Sequence, residues 1–236
     1  MSTEEKIENE STRKEQTSET KEHTGGADPT VRFGLAGVLR WSDRFTNKLV
    51  GTYDRVFSLK DEDKADIYLN VGVDYAAKGN AGAAAEALEK SLQIQPDNKV
   101  TWCHLGRVYL NQGRAGSAVK AFEQATALGN DSFELHFYHA EALADQTNQE
   151  GAISELRRAI AQKPDAAEAY YRLGVALDKL KKYDEAVVAF EKAIELSPRD
   201  NGYYQSLGFT YDSMGNHEKA INCFKRAVEL ERRVGK

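Results

Sequence analysis

The sequence predicts an all-α fold: a right-handed superhelical solenoid of five 34-residue helix pairs, preceded by an amphipathic helical segment and a disordered tail. Three observations carry this. A 34-residue period runs without insertion or deletion from residue 65 to residue 234, and a fixed period of that length marks stacked repeats. Within each period, apolar residues recur three and four apart, the spacing of one helix face. Small residues stand at matched positions beside large ones, so two helices can approach closely. Each pair then has too little core to stand alone and must stack on its neighbours.

Taken in order, residues 1–30 read as a disordered acidic tail. They contain one Ile and one Ala besides the initiator Met, no aromatic residue, and the breakers Gly25-Gly26 and Asp28-Pro29. Such a stretch buries too little apolar surface to offset a backbone ordering cost of roughly 1–2 kcal/mol per residue. Residues 31–64 occupy one further repeat length but place Gly34, Gly37 and Trp41 where packing residues belong. They read instead as an amphipathic helix carrying Val38, Trp41, Phe45, Leu49 and Tyr53 on one stripe. Six basic residues against two acidic ones between 31 and 60 give it a charge of +4. A basic amphipathic helix can lie on an anionic membrane, dock in a protein groove, or cap the open end of a solenoid.

The five units span 65–98, 99–132, 133–166, 167–200 and 201–234. Position 4 holds Tyr68, Trp102, His136, Tyr170 and Tyr204; position 8 holds Gly72, Gly106, Ala140, Gly174 and Gly208. Position 20 is alanine throughout, and position 24 is Leu88, Phe122, Leu156, Phe190 and Phe224. Gly79, Gly113 and Gly215 at position 15 predict a left-handed turn between the two helices. Pro96, Pro164 and Pro198 close three units. The third unit departs most, with His136 and His139 at packing positions and Thr147 for the turn glycine. Before it, Leu128-Gly129-Asn130-Asp131 lacks proline, and the expectation is a hinge at 129–131 between two halves of the array.

This pattern resembles the tetratricopeptide repeat family, position by position, over residues 65–234. In that family, ligands meet positions 2, 5, 6, 9, 12 and 13 of the first helix. The resemblance therefore implies a partner-binding groove that includes Asn70, His104, Arg107, Phe137, Tyr138, Glu141, Asp145, Tyr171, Arg172, Asp178, Lys179, Phe209 and Asp212. Arginine, aromatics and acids together suit a peptide or helix better than a small metabolite. The carboxylate clamp of chaperone adaptors fails here: its first pair would be Leu69/Val73, Cys103/Arg107 or Phe137/Glu141.

Composition excludes several function classes. The chain carries 32 Lys and Arg against 37 Asp and Glu, and four units of the negative balance lie in residues 1–30. The remainder is close to neutral, which disfavours a nucleic-acid surface. No apolar stretch approaches the ~18–20 residues of a spanning helix, and the acidic start lacks the features of a secretory signal, so a cytoplasmic protein is expected. His136 and His139, three apart, have the spacing of metal ligands, yet both sit at packing positions. Cys103 and Cys223 have no activating neighbours to argue from. No enzyme, metal or cofactor is expected.

Residues 31–234, through FGLAGVLRWSDRFTNKLVGTYDRVFSL and a C-terminal stretch that includes YRLGVALDKLKKYDEAVVAFEKAIELSP, are similar to magnetosome-associated members of the family. That resemblance implies a non-enzymatic, homo-oligomeric scaffold that recruits other magnetosome-associated proteins or peptides at the cytosolic side of the magnetosome membrane. The alternative is a soluble adaptor or co-chaperone binding peptides in its groove.

Overall fold

The computed structural model describes residues 48, 50–52, 54–55 and 59–234. The chain divides into two compact units, residues 1–59 and 60–236. In the first, the described residues from Lys48 to Arg55 are helical, with Thr52 Oγ1 donating to the Lys48 carbonyl at 2.7 Å. The tail 1–30 and the stripe residues Val38, Trp41, Phe45, Leu49 and Tyr53 lie outside the described residues.

The second unit is helical, with no strand among the described residues. Its helices are α1 (Asp61–Ala77), α2 (Ala81–Ile94), α3 (Lys99–Asn111), α4 (Ala115–Ala127), α5 (Phe133–Asp145), α6 (Gln149–Gln162), α7 (Ala167–Lys179), α8 (Tyr183–Leu196), α9 (Asn201–Ser213) and α10 (His217–Val234). Helices pair in sequence, and each pair's second helix packs on the next pair's first. The solenoid predicted from the sequence is the fold observed. Two ends differ from the repeat's bounds: α1 starts at Asp61, four residues before position 1 of its unit, and α10 has 18 residues.

One hydrogen bond recurs at every turn within a pair. The N–H of position 16 donates to the carbonyl of position 11: Asn80 to Tyr75, Arg114 to Tyr109, Asn148 to Leu143, Lys182 to Leu177 and Asn216 to Tyr211, at 2.9–3.0 Å. This closure requires the residue between to be left-handed. Gly79, Gly113 and Gly215 meet the requirement at φ 71–78°, while Thr147 and Lys181 are held at 62° and 60° despite their side chains. Asn80, Asn98, Ser132, Asn148 and Asp200 then cap the following helices by accepting from their first free N–H groups.

Packing within a pair turns on position 8. A Cβ added at Gly106, Gly174 or Gly208 would lie 2.6–2.7 Å from the ring of Phe122, Phe190 or Phe224. The phenyl rings thus rest directly on helix backbone. The third pair uses Ala140 with Leu156, both buried. The position-20 alanines (Ala84, Ala118, Ala152, Ala186 and Ala220) are all at most 2% exposed. Between pairs, position 21 is buried as Ala85, Val119 and Ile153, yet Ile221 in the last pair is 52% exposed. Position 28 behaves alike: Leu92 is buried, and Val228 is 44% exposed.

The joint between the second and third pairs is built differently. Helix α4 has 13 residues where α2, α6 and α8 have 14, because Gly129 takes φ 78° and Asn130 N–H donates back to the Ala125 carbonyl at 2.9 Å.

Candidate functional site

The first helices of the pairs share one side of the stack, with α1 against α3, α3 against α5 and α7 against α9. Contact between α5 and α7 is sparser. There a cavity of about 110 Å³ opens, lined by Phe137, Glu141, Asp145, Gln149, Leu156, Arg172, Val175 and Lys179, among others. The structure thus brings five of the sequence-predicted groove residues to one place: Phe137, Glu141, Asp145, Arg172 and Lys179.

Arg172 is the electrostatic centre of this wall. Its Nε donates to Glu168 Oε1 at 2.8 Å, and its NH1 lies 3.5 Å from Glu141 Oε1. Partial burial opposes its charge, but the Glu168 hydrogen bond and the Glu141 charge win, and its pKa is raised. Glu168 also accepts from Tyr203 Oη at 3.2 Å. Burial first, then the Glu168 carboxylate, pushes Tyr203 up to about 12, so the phenol stays a donor. Tyr171 stacks on Tyr203 with ring centroids 4.8 Å apart, and its hydroxyl accepts from Ser206 at 3.4 Å. Asp178 accepts from Thr210 at 2.8 Å.

Three further predicted residues form a second group on α3 and α5. The Arg107 guanidinium lies 5.8 Å from the Tyr138 ring centroid and 3.5 Å from His104 Nδ1. Burial, then the Arg107 charge, lowers the pKa of His104, which is therefore neutral at pH 7. Phe137 links the two groups, 5.5 Å from both the Phe133 and Tyr138 rings. Asn70 stands apart, exposed on α1. At the far end Phe209, 64% exposed, meets Phe224 edge-on at 5.1 Å, and Asp212 pairs with His217 at 2.7 Å.

Tyr203 and Thr210 donate to carboxylates of this wall, and the positional rule passes over them because they stand at packing positions 3 and 10. The signal was a phenol at position 3, where other units hold Ile67, Thr101, Leu135 and Ala169, and a hydroxyl at position 10, where the second to fourth units hold Val108, Ala142 and Ala176. A larger cavity, about 620 Å³, lies between α6, α7 and α8 and contains none of the predicted groove residues. Part of its polar rim is already paired internally, Arg157 with Glu185 at 3.1 Å and Lys192 with Glu195 at 2.8 Å.

Burial pushes the Cys103 thiol up to about 11 and raises that of Cys223, the reverse of what a nucleophile needs. Among the described residues no three His, Cys, Asp or Glu side chains stand so that they could hold a metal ion. His136 and His139 are buried, as packing residues would be, but His136 also bonds to two carboxylates. No described helix is long and apolar enough to cross a membrane.

Stacked helix pairs with a polar and aromatic wall of first helices define a protein-interaction repeat. A family model described as the cytochrome c-type biogenesis protein H TPR domain matches residues 83–201, and two tetratricopeptide repeat models match 65–98 and 203–233. The chain belongs to the tetratricopeptide repeat family. Within it, the chain is similar to MamA. A crystal structure of MamA is 32% identical, covers 70% of this chain and 96% of its own, and superposes with a TM-score of 0.67. MamA 41-end from Desulfovibrio magneticus RS-1 is 27% identical, with 72% and 97% coverage and a TM-score of 0.70. YrrB, described as a TPR protein with an unusual peptide-binding site, shares the fold at 22% identity over 76% of this chain and 92% of its own, TM-score 0.69. No curated protein sequence matches the chain.

Proposed function

We propose that this chain is a non-enzymatic scaffold that self-assembles and recruits partners on the cytosolic face of the magnetosome membrane. The observation that carries the reading is the likeness to MamA, 32% identical over 70% of the chain. The first-helix wall supports it with a cavity flanked by Glu141 and Asp145 beside Arg172 and Lys179, next to the aromatic residues Phe137, Tyr138 and Tyr171. In this reading the basic segment carrying Val38, Trp41, Phe45, Leu49 and Tyr53 docks on the acid-rich wall of a second copy. Its +4 charge then meets Glu134, Glu141, Asp145, Glu168, Asp178 and Asp212. Such a contact is head-to-tail, and unless its rotation closes a ring it grows open assemblies.

The test is light scattering on size-exclusion fractions at equal concentration and salt. Full-length protein forms large species. Trp41→Asp with Phe45→Asp gives a small folded one, and Glu141→Lys with Asp145→Lys weakens assembly from the other side. A full-length protein that is monomeric at high concentration, or an aspartate double variant that assembles unchanged, removes the self-assembly reading. The second reading, a soluble adaptor for peptides, is favoured by the cavity between α5 and α7. A monomer that binds basic amphipathic peptides, and loses them with Glu141→Lys, selects it.

A further inference from the structure

His136 is fully buried and lies at the start of the third helix pair. Its two ring nitrogens each face a carboxylate: Nδ1 is 2.6 Å from Glu155 Oε2 and Nε2 is 2.7 Å from Asp131 Oδ1. An ionised carboxylate only accepts, so both bonds form together only if both nitrogens carry protons, as in the imidazolium. A neutral ring would turn one lone pair toward a carboxylate.

The two acceptors differ in what they can do when a proton leaves. Glu155, on α6, is 12% exposed, and its other neighbours are His139 Nδ1 at 3.6 Å and Arg158 at 3.5 Å. It is largely enclosed by the packing and has little access to water. Asp131 is 72% exposed and sits in the joint after Gly129 and Asn130. Besides His136 it holds Gln162 Nε2 at 2.7 Å, which ties the joint to the end of α6. From α3, Lys99 Nζ donates to the Gly129 carbonyl at 3.0 Å. From α4, the Phe122 ring lies against His139, whose nitrogens have no hydrogen-bond partner. The single proton of a neutral His136 would therefore stay on Nδ1 with Glu155, and Asp131 would turn to solvent.

We propose that Asp131, His136 and Glu155 form a proton-operated latch on the joint between the second and third helix pairs, closed while His136 is an imidazolium and open when it is neutral. The hydrogen bond to Glu155 raises the pKa of His136 against the effect of burial, with Asp131 adding to the rise. The bridge is thus whole below the ordinary histidine pKa of about 6.5 and is lost as pH rises through the higher folded value. The joint links α4 to α5, and α5 packs against α3, so in this proposal the latch makes the first-helix wall respond to pH. It adds regulation to the scaffold reading and depends on no partner.

The test uses the full chain alone, over pH 5 to 9, with ring ¹⁵N shifts of the histidines and amide exchange corrected to protection factors. The expected result is a doubly protonated His136 at pH 6, titrating above 6.5. Over the same interval, protection at residues 129–133 falls at least tenfold while α7 to α10 keep theirs. Asp131→Asn, on an exposed joint residue, removes the step and lowers the His136 pKa; circular dichroism confirms that it folds. A neutral His136 tautomer at pH 6, a ring that stays charged to pH 9, flat protection through the titration, or an intact step in Asp131→Asn each overturns the latch. None of these readouts involves assembly or peptide binding, so the scaffold reading stands or falls separately.

Discussion

Replacing Gly174 by alanine tests the close approach that organises each helix pair. In a helix interior, alanine is worth about 1 kcal/mol over glycine. Against this, the new Cβ would stand 2.7 Å from Phe190 Cδ1 and Cε1 and 2.9 Å from Cζ. Phe190 is 1% exposed and its flat ring has nowhere to turn, so the upper part of the ~1–3 kcal/mol overpacking range applies. The net loss is about 1–2 kcal/mol, a fall in melting temperature of roughly 2–8 °C for a chain of this size. The decisive measurement is a double-mutant cycle with Phe190→Leu, because the third pair already carries alanine at position 8 with leucine at position 24, as Ala140 and Leu156. Phe190→Leu alone leaves a cavity and destabilises. Together the two changes fit each other, with a coupling of about 1 kcal/mol or more in favour of the pair. Thermal and urea unfolding followed by circular dichroism reads all four proteins. A Gly174→Ala protein as stable as the parent, or two changes that merely add, refutes the backbone-contact account.

Other outcomes follow from the same geometry. Thr147→Gly and Lys181→Gly remove the left-handed strain at φ 62° and 60° and each raises the melting temperature, by up to about 1 kcal/mol of stability; a fall in either would show that its side chain contributes more than the strain costs. Burial pushes the Glu155 carboxyl up, but the hydrogen bond from His136 and the nearby His139 imidazole outweigh it and bring it down to about 2. Its folded pKa lies below the ordinary value, so its contribution is present above about pH 4.5 and is lost as pH falls toward 2. Glu155→Gln accordingly flattens the stability profile over that window, as acid titration by circular dichroism would record. Cys103, held up near 11, alkylates at pH 8 far more slowly than a free thiol, which mass spectrometry of iodoacetamide-treated folded protein measures directly.

The helix pairs were legible in the sequence because each rests on side-chain size at fixed spacing. Gly106 against Phe122 and Gly208 against Phe224 can be read from residue types alone. The turn geometry was legible at Gly79, Gly113 and Gly215 but not at Thr147 or Lys181. There main-chain closure between positions 16 and 11 imposes the conformation, and the side chain carries no sign of it. The wall residues were named through the family's positional rule, which sees direction from the helix axis and nothing else. It therefore missed Tyr203 and Thr210, whose hydroxyls turn from packing positions to reach Glu168 and Asp178. The His136 bridge was hidden for another reason. Its partners are 5 and 19 residues away on different elements, and such pairings come from how the pairs stack, which no local pattern encodes.

Ile221 and Val228 mark the place where this array can be lengthened. The same two positions lose their water contact in the first pair, where the following helix lies over Ala85 and Leu92. A sixth 34-residue pair placed in phase after Val234 would cover both, while every earlier contact stayed as it is. In a stack whose members touch only their nearest neighbours, stability grows by one interface at a time. The surface presented to partners can thus be extended in steps of a single repeat, with recognition and folding adjusted on separate faces of the same helices.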